Sequence, residues 1–145
     1  MARITVHTHG KVRERAYTDL ISTYTERLSS RGVTLFNHGD KLSHDDYVAK
    51  LEAAANDGNL ILLDECGESG STSWFVENWK SWRMESKAIH LAIGPVDGFE
   101  SDIVERHRSI ALGPMTMTYE MAAVVLLEQL YRASEVVRGS PYHRD

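Results

Sequence analysis

The last residues of the chain carry an unusual set of side chains for a terminus, since Tyr142, His143 and Arg144 directly follow Pro141. Exposed chain ends usually carry small or polar residues without a defined conformation. An imidazole can take or give a proton near neutral pH, and a guanidinium can bind phosphate through two parallel hydrogen bonds. Pro141 restricts its own backbone and that of the preceding residue, so the run starts in a defined direction. Two interpretations stay open: an idle polar tail, or a terminus that forms part of a site.

A second polar group lies on the long apolar segment before this tail. Glu128, Tyr131 and Arg132 are three and four residues apart, which places them on one helical face. A surface ion pair between Glu128 and Arg132 is the simplest interpretation. The rest of the segment is almost wholly apolar and needs more partners than one sheet face supplies. We therefore predict that the protein is a homodimer.

Histidines and acidic pairs elsewhere indicate less chemistry. Four histidines alternate with apolar residues on predicted strands: His7, His9, His38 and His90. This pattern favours inert polar positions over metal ligands. No pair has the H-x-x-x-H spacing of a zinc site, and we predict no metal site. Asp64 and Glu65 are adjacent at a strand end, where neighbouring side chains point to opposite faces, which argues against a hydrolase built on two carboxylates.

The composition is that of an ordinary globular protein. Its 145 residues fit a single domain, 1–145, with 42% apolar and 26% charged residues. One cysteine, Cys66, excludes an internal disulfide and favours a reducing, cytoplasmic setting. The sequence shows neither an apolar run of about 18 residues nor a signal peptide, so we expect no membrane partner. A formal charge of −5 argues against non-specific binding to DNA or RNA, so an RNA partner would need a local patch or recognition by shape.

Short β-branched runs alternate with longer helical patterns along the chain. Strands are predicted at 3–10, 33–38, 59–65 and 88–94, with a short interrupted strand in 109–117. Helical spacing covers 17–28, a segment after Ser43, 74–82, 103–107 and 118–138, the last ending at Gly139. Residues 65–73 are rich in glycine and serine and are expected to form a flexible loop. The alternation predicts an α/β fold with a mostly parallel sheet and helices on both faces.

Ligands of such sheets bind at the carboxyl ends of the strands. Three of these ends continue into glycine-bearing segments, LDECGESG, IGPVDG and LGPMTM. Each segment alone is most simply a tight turn, but three at one edge favour a ligand cleft. None has the spacing of a dinucleotide-binding loop or a P-loop.

Five stretches in order resemble one known family: LD-x-x-G, IG-x-x-x-GF, MT before the last helix, LLEQLYRA within it, and RG-x-x-YHRD at the end. Over essentially the full chain, they resemble SPOUT-class methyltransferases of the RlmH (YbeA-like) type. That resemblance implies methylation of N3 of a pseudouridine in helix 69 of 23S rRNA on the assembled ribosome, with S-adenosylmethionine as cofactor, by a homodimer. It also implies a deep trefoil knot in the C-terminal half, which no sequence pattern predicts.

The resemblance also implies which residues form the site. The cofactor would be bound by Leu63, Gly94, Leu112, Gly113, Pro114, Met115, Thr116 and Met117. The tail residues Tyr142, His143 and Arg144 would cross toward the cofactor of a second subunit and help to hold the base. Our hypothesis is that His143 accepts the N3 proton or stabilises the imidate, while Arg132 and Arg144 offset negative charge.

Three positions depart from the family pattern: Pro95 replaces a usual second glycine, Tyr119 a usual histidine and Ala123 a usual arginine. These changes leave open a catalytically weakened SPOUT-like protein that binds ribosomes and acts in their assembly. A flavodoxin-like nucleotide binder is a third interpretation, supported only by the strand–helix alternation. A basic run after the first strand (Lys11, Arg13 and Arg15) fits phosphate contacts and a solvated helix start equally well.

Overall fold

A computed structural model of the protein describes residues 2–56 and 58–144. Its strands are β1 (Ile4–Thr8), β2 (Val33–Asn37), β3 (Asn59–Glu68), β4 (Ile89–Ile93) and β5 (Arg108–Ile110). Its helices are α1 (Arg15–Leu28), α2 (His44–Ala54), α3 (Thr72–Met84), α4 (Ser101–Arg106) and α5 (Tyr119–Arg138), with a 3₁₀ turn at Ser29–Arg31. The strands form one sheet in the order β2-β1-β4-β3-β5, and every pairing is parallel.

Hydrophobic side chains cover both faces of this sheet. Ile4, Val6 and Leu91 belong to the larger core, which also takes in the apolar faces of α1, α3 and α5. Leu62 and Ala92 point the other way and pack against Tyr47 and Leu51 of α2 and the apolar residues of α4. Alternate strand residues point to opposite faces, which is how one strand contributes to both cores. The predicted α/β fold with a parallel sheet between two helical layers is confirmed.

Helix α5 has the ends that its sequence indicates. Thr118 is the N-cap, and its hydroxyl accepts a hydrogen bond from the Met121 amide. Gly139 ends the helix with φ +75°, a left-handed conformation that glycine adopts easily. Within the chain, α5 packs against α1 and α3 as well as the sheet. Its apolar surface therefore finds partners in the same chain, and the homodimer stays a prediction that this helix alone does not support.

Two local predictions at the edge of the sheet were wrong. Strand β3 continues through residues 65–68, which were expected to belong to a flexible loop, and both Leu63 and Glu68 pair with Ile110 across an irregularity. Gly67 makes this possible, because a Cβ there would lie 2.7 Å from the backbone of Ser109 and Ile110. Local composition does not show such a pairing, since β5 is distant in sequence.

The strand expected within 109–117 is shorter than predicted. Only Arg108–Ile110 pairs with the sheet, and residues 111–117 form a loop in which Gly113 has φ +155°. The trefoil knot stays a prediction from the family resemblance. No helix in the described ranges is long and apolar enough to cross a membrane.

Candidate active site

A pocket of about 190 Å³ opens at the carboxyl edge of the sheet, between residues 63–65 of β3, the segments that follow β4 and β5, and the start of α5. The lining includes most of the residues predicted to bind the cofactor: Leu63, Gly94, Leu112, Gly113, Met115, Thr116 and Met117. Pro114, also predicted, lies in the same loop but does not line the pocket. Three segments that are far apart in sequence thus meet at one place, as expected at the carboxyl edge of a parallel sheet.

The loop over residues 112–117 offers its backbone to a ligand. No backbone hydrogen bond among the described residues uses its N–H or C=O groups, although Pro114 has no N–H to offer. Polar backbone groups near a cavity need a partner, which can be water or a ligand. Apolar surface lies beside them, since Met115 is 77% exposed and Val96 is 72% exposed at the pocket. This combination suits a flat heteroaromatic ring, whose edge takes hydrogen bonds and whose faces take apolar contacts.

Three carboxylates of the pocket were missed as binding residues by the sequence reasoning. Asp64, Glu65 and Asp97 all line it. Asp64 Oδ2 accepts a hydrogen bond from the Cys66 amide at 3.0 Å, which holds this side chain where the pairing of β3 becomes irregular. Strand periodicity predicts opposite directions for Asp64 and Glu65, but both line the pocket where the pairing of β3 becomes irregular. A cationic ligand would find favourable charge here.

The three departures from the family pattern occupy different places. Pro95 and Tyr119 line the pocket, whereas Ala123 is 1% exposed and belongs to the larger core. The methyl group of Ala123 packs against the other apolar side chains of this core. Of these departures, only Pro95 and Tyr119 can contact a bound ligand directly.

The C-terminal tail is held against α5 and α1 of its own chain. The Tyr142 hydroxyl donates to Glu128 Oε2 at 2.8 Å and lies 3.4 Å from the Tyr24 hydroxyl. Arg132 donates to Glu128 Oε2 at 3.1 Å through Nη2 and to His143 Nδ1 at 3.1 Å through Nη1. The Arg132 guanidinium also lies over the Tyr142 ring, 5.1 Å from its centroid. Glu128 and Arg132 therefore form an ion pair with each other and also bind the side chains of the tail.

These contacts constrain two protons. A guanidinium only donates hydrogen bonds, so Nδ1 of His143 accepts, and the neutral imidazole carries its proton on Nε2. Burial raises the pKa of the Tyr142 phenol well above its ordinary value, and its hydrogen bonds with Tyr24 and Glu128 raise it further. The phenol therefore stays protonated at neutral pH.

The tail does not reach the pocket of its own chain. Ala122 lines the pocket, and Arg132 lies ten residues further along α5, which is about 15 Å at 1.5 Å per residue. Neither Tyr142 nor His143 lines the pocket, and the exposed Arg144 is also absent from its lining. Of the predicted catalytic residues, Arg132, Tyr142 and His143 thus form one cluster, and most of the predicted cofactor residues form another.

A chain of imidazoles lies on the α2 side of the sheet. His7 Nδ1 is 2.9 Å from His38 Nε2, and His7 Nε2 is 2.9 Å from His90 Nδ1. Burial, followed by the charges of His90 and His38, lowers the pKa of His7 to about 4. The sequence reasoning treated these histidines as separate inert positions; they meet because β1 lies between β2 and β4. Among the described residues, no cluster of three or more ligands could hold a metal ion.

Comparisons with known proteins agree with this architecture. Residues 2–143 match the sequence model of the family described as "Predicted SPOUT methyltransferase". A Cereibacter sphaeroides protein named "Ribosomal RNA large subunit methyltransferase H" is 33% identical, over 93% of this chain and 94% of its own. A Nitrobacter winogradskyi protein of the same name is 32% identical, over 98% of this chain and 99% of its own.

Solved structures support the fold at lower sequence identity. A probable methylase family protein from Haemophilus influenzae aligns with a TM-score of 0.60 at 12% identity, over 95% of this chain and 67% of its own. TrmJ from Z. mobilis aligns with a TM-score of 0.53 at 9% identity, over 92% of this chain and 70% of its own. The parallel sheet, the pocket at its carboxyl edge and the match over residues 2–143 lead to one conclusion: the chain belongs to the SPOUT methyltransferase family.

Proposed function

We propose that the protein transfers a methyl group from S-adenosylmethionine to N3 of a pseudouridine in helix 69 of 23S rRNA. In this proposal it acts as a cytoplasmic homodimer on the assembled ribosome. The observation that carries the proposal is the pocket at the sheet edge, built from the loops that the family resemblance assigns to the methyl donor. Relatives named for methylation of large-subunit ribosomal RNA, similar along nearly their whole length, support rRNA as the substrate.

The residues of the pocket fit this donor. Backbone groups of 112–117 can bind the edge of the adenine, and Leu63 and the methionine side chains can pack on its faces. Asp64, Glu65 and Asp97 complement the positive ammonium and sulfonium groups. Bound there, the donor supplies an activated methyl group on sulfur.

A single chain forms only part of the proposed site. Small-molecule sites usually enclose about 300–1,000 Å³, whereas this pocket encloses about 190 Å³. The exposed Val96 and Met115 leave apolar surface at its mouth for a second subunit to cover. The tail is ordered but lies about 15 Å along α5 from its own pocket. A dimer that sets the tail of one subunit beside the pocket of the other would bring the two clusters together.

The chemistry asks the protein mainly for alignment and charge stabilisation. Holding N3 in line with the methyl group can lower the barrier by several kcal/mol, up to about 7–11 in favourable cases. The S–CH₃ bond breaks, the N3–CH₃ bond forms, and the imide proton leaves N3 for solvent. Since Arg132 donates to Nδ1 of His143, the Nε2–H of His143 can donate to an oxygen of the base and stabilise the imidate. Of the two roles considered for His143, the geometry favours this donor role over that of a proton acceptor.

The function is tested with ribosomes from a strain that lacks its own enzyme. Incubation with labelled S-adenosylmethionine should place one methyl group on a pseudouridine of helix 69, located by mass spectrometry of rRNA fragments. The His143→Ala variant should slow single-turnover methylation by about 10²-fold, the typical effect of losing one donor to a developing charge. Label at another nucleotide would contradict the assigned target, and an unchanged single-turnover rate would contradict the role of His143.

The second candidate is a catalytically weakened protein that binds ribosomes without methylating them. Pro95 favours it, because a proline in the pocket removes an N–H donor that a glycine would supply. Calorimetry separates the two candidates, since a methyltransferase must bind S-adenosylmethionine measurably. Absence of any binding signal at millimolar donor would support the weakened protein.

A further inference from the structure

A second pocket, of about 410 Å³, lies beside the first and was not anticipated from the sequence. Val96 and Tyr119 line both pockets, so a ligand in one sits next to a ligand in the other. The remaining wall comes from the loops after β1 and β2, including Lys11, Arg13 and Asp40. A volume of this size falls within the usual range for small-molecule sites, about 300–1,000 Å³.

The walls of this second pocket are cross-linked before any ligand binds. The Gly10 amide donates to the Gly39 carbonyl at 2.7 Å, and Asn37 Nδ2 donates to the Gly10 carbonyl at 2.9 Å, which joins the two loops. The Tyr119 hydroxyl donates to the Lys11 carbonyl at 2.6 Å. Gly10 has φ +104°, and a Cβ there would approach the Tyr119 ring to 3.2 Å. Tyr119 thus fixes the basic loop against the start of α5.

The basic side chains of this pocket lack the short ion pairs that hold several other basic side chains of the molecule. Elsewhere, several basic side chains are close to carboxylates: Arg31 with Glu135 at 2.8 Å, Arg106 with Glu52 at 2.9 Å, Arg108 with Glu68 at 2.9 Å and Arg132 with Glu128 at 3.1 Å. At the second pocket, Lys11 has no ion pair with any described residue. Arg13 reaches Asp40 only at 4.0 Å, with side chains 76% and 46% exposed.

Asp40 is the one carboxylate in the described lining of this pocket, while Glu14, Asp45 and Asp46 lie on the adjoining segments outside it. Exposed pairs of this length contribute little stability, so Arg13 can exchange Asp40 for another anion at small cost. The guanidinium of Arg13 and the ammonium of Lys11 lie on the rim of the same pocket, and together they favour a ligand with a delocalised negative charge. His9 and His44 add ring surface to the same wall.

We propose that this second pocket binds a phosphodiester of the RNA substrate next to the target nucleotide, through Lys11 and Arg13, with Tyr119 as the shared wall that sets the nucleotide beside the methyl donor. The inference rests on the proposed function, and it names where an acidic protein makes its attractive contact with RNA. It also assigns phosphate contacts to Lys11 and Arg13 of the basic run, whereas Arg15 does not line the pocket.

The test uses the full chain and ribosomes from a strain that lacks its own methyltransferase. Affinity is measured over a range of salt concentrations for the unmodified protein and for the double variant Lys11→Gln/Arg13→Gln. Removing one phosphate interaction should lower the slope of log affinity against log salt by about 0.7–0.9. The matched control is Arg3→Gln/Lys87→Gln, which removes the same charge from exposed residues at the opposite edge of the sheet.

The inference is supported if the pocket variant alone shows a smaller slope and a lower affinity for ribosomes, while its affinity for S-adenosylmethionine stays within about twofold of the unmodified protein. It is overturned if the slope is unchanged, if affinity falls without a change of slope, or if the control variant is affected as much. The proposed function is contradicted by a different result: the unmodified protein does not bind the donor or does not transfer the methyl group. Ribosome binding is measured independently of donor binding and of methyl transfer.

Discussion

Arg132 Nη1 lies 3.1 Å from Nδ1 of His143, and the same guanidinium reaches Glu128 through Nη2. One side chain of α5 thereby holds the tail and selects the tautomer of its imidazole. This relationship connects a local helical spacing to the chemistry proposed for the terminus.

Replacing Arg132 with lysine should reduce kcat by about 10- to 100-fold. An ammonium keeps the charge but cannot hold Glu128 and His143 in one planar arrangement, and a charge-assisted hydrogen bond is worth about 1.5–3 kcal/mol. Donor affinity should be unchanged, because Arg132 does not line the pocket. Single-turnover methylation and calorimetry measure the two effects. The control is Arg138→Lys, on the same helix and 3.9 Å from Glu135; equal rates in both variants would contradict the prediction.

Replacing Tyr119 with phenylalanine should weaken ribosome binding by about 2- to 12-fold. The ring still packs against Gly10, but the hydrogen bond from its hydroxyl to the Lys11 carbonyl is removed, at a cost of about 0.5–1.5 kcal/mol. The basic loop should then become less well ordered, and KM should rise while kcat changes little. Steady-state kinetics separates the two constants. A fall in kcat at constant KM would show that Tyr119 acts on the reaction step instead.

Replacing Gly67 with alanine should destabilise the fold by about 1–3 kcal/mol. Its Cβ would lie 2.7 Å from the backbone of Ser109 and Ile110, and backbone cannot move aside as a flexible side chain can. Urea unfolding at pH 7 measures the change in the free energy of unfolding. Gly139→Ala is the comparison, since that position has φ +75° and open space around it. There the cost should be only that of a left-handed alanine, about 1–2 kcal/mol.

The histidine chain should make stability depend on pH between 6.5 and about 4. The pKa of His7 falls from 6.5 to about 4 on folding, so the folded chain binds fewer protons than the unfolded chain in that window. Stability present above pH 6.5 is therefore lost as the pH falls, by roughly 3 kcal/mol for His7 alone. Urea unfolding at several pH values measures it.

A matched variant, His7→Gln, should be less stable at pH 7 but show a flatter dependence over the same window. The pKa of Glu135 is lowered to about 2, chiefly by a hydrogen bond with Ser140 and then by Arg31, so the stability that Glu135 contributes is lost only below pH 4.5. The range from pH 6.5 to 4.5 therefore does not include this loss. If the His7→Gln protein kept the full slope between pH 6.5 and 4.5, another group would be responsible.

The fold could largely be predicted because its signals are local. Alternating apolar residues place Ile4 and Val6 in the core, and α5 is bounded by a capping threonine and a left-handed glycine. The three glycine-bearing strand ends could be assigned to one edge, since parallel strands share their carboxyl side. Their meeting in a pocket follows from topology more than from any single residue.

The contacts between distant segments were beyond such reasoning. Residues 65–68 resemble a loop in composition, yet they pair with β5 because Gly67 allows a close backbone approach. Strand periodicity predicts opposite directions for Asp64 and Glu65, yet both line the first pocket, where the pairing of β3 is irregular. The second pocket also has no sequence signature, because its walls come from loops joined by Asn37, Gly10 and Gly39.

By itself, the sequence determined the order of strands and helices along the chain, the ends of α5 and the shared edge at which three glycine-bearing strand ends lie. Only the tertiary structure decided that His7, His38 and His90 form one chain, that Tyr142 and His143 are held on α5, and that Tyr119 separates two adjacent pockets. Helical and strand patterns depend on neighbours a few residues away, whereas these contacts join segments whose proximity is set by the packing of the whole sheet.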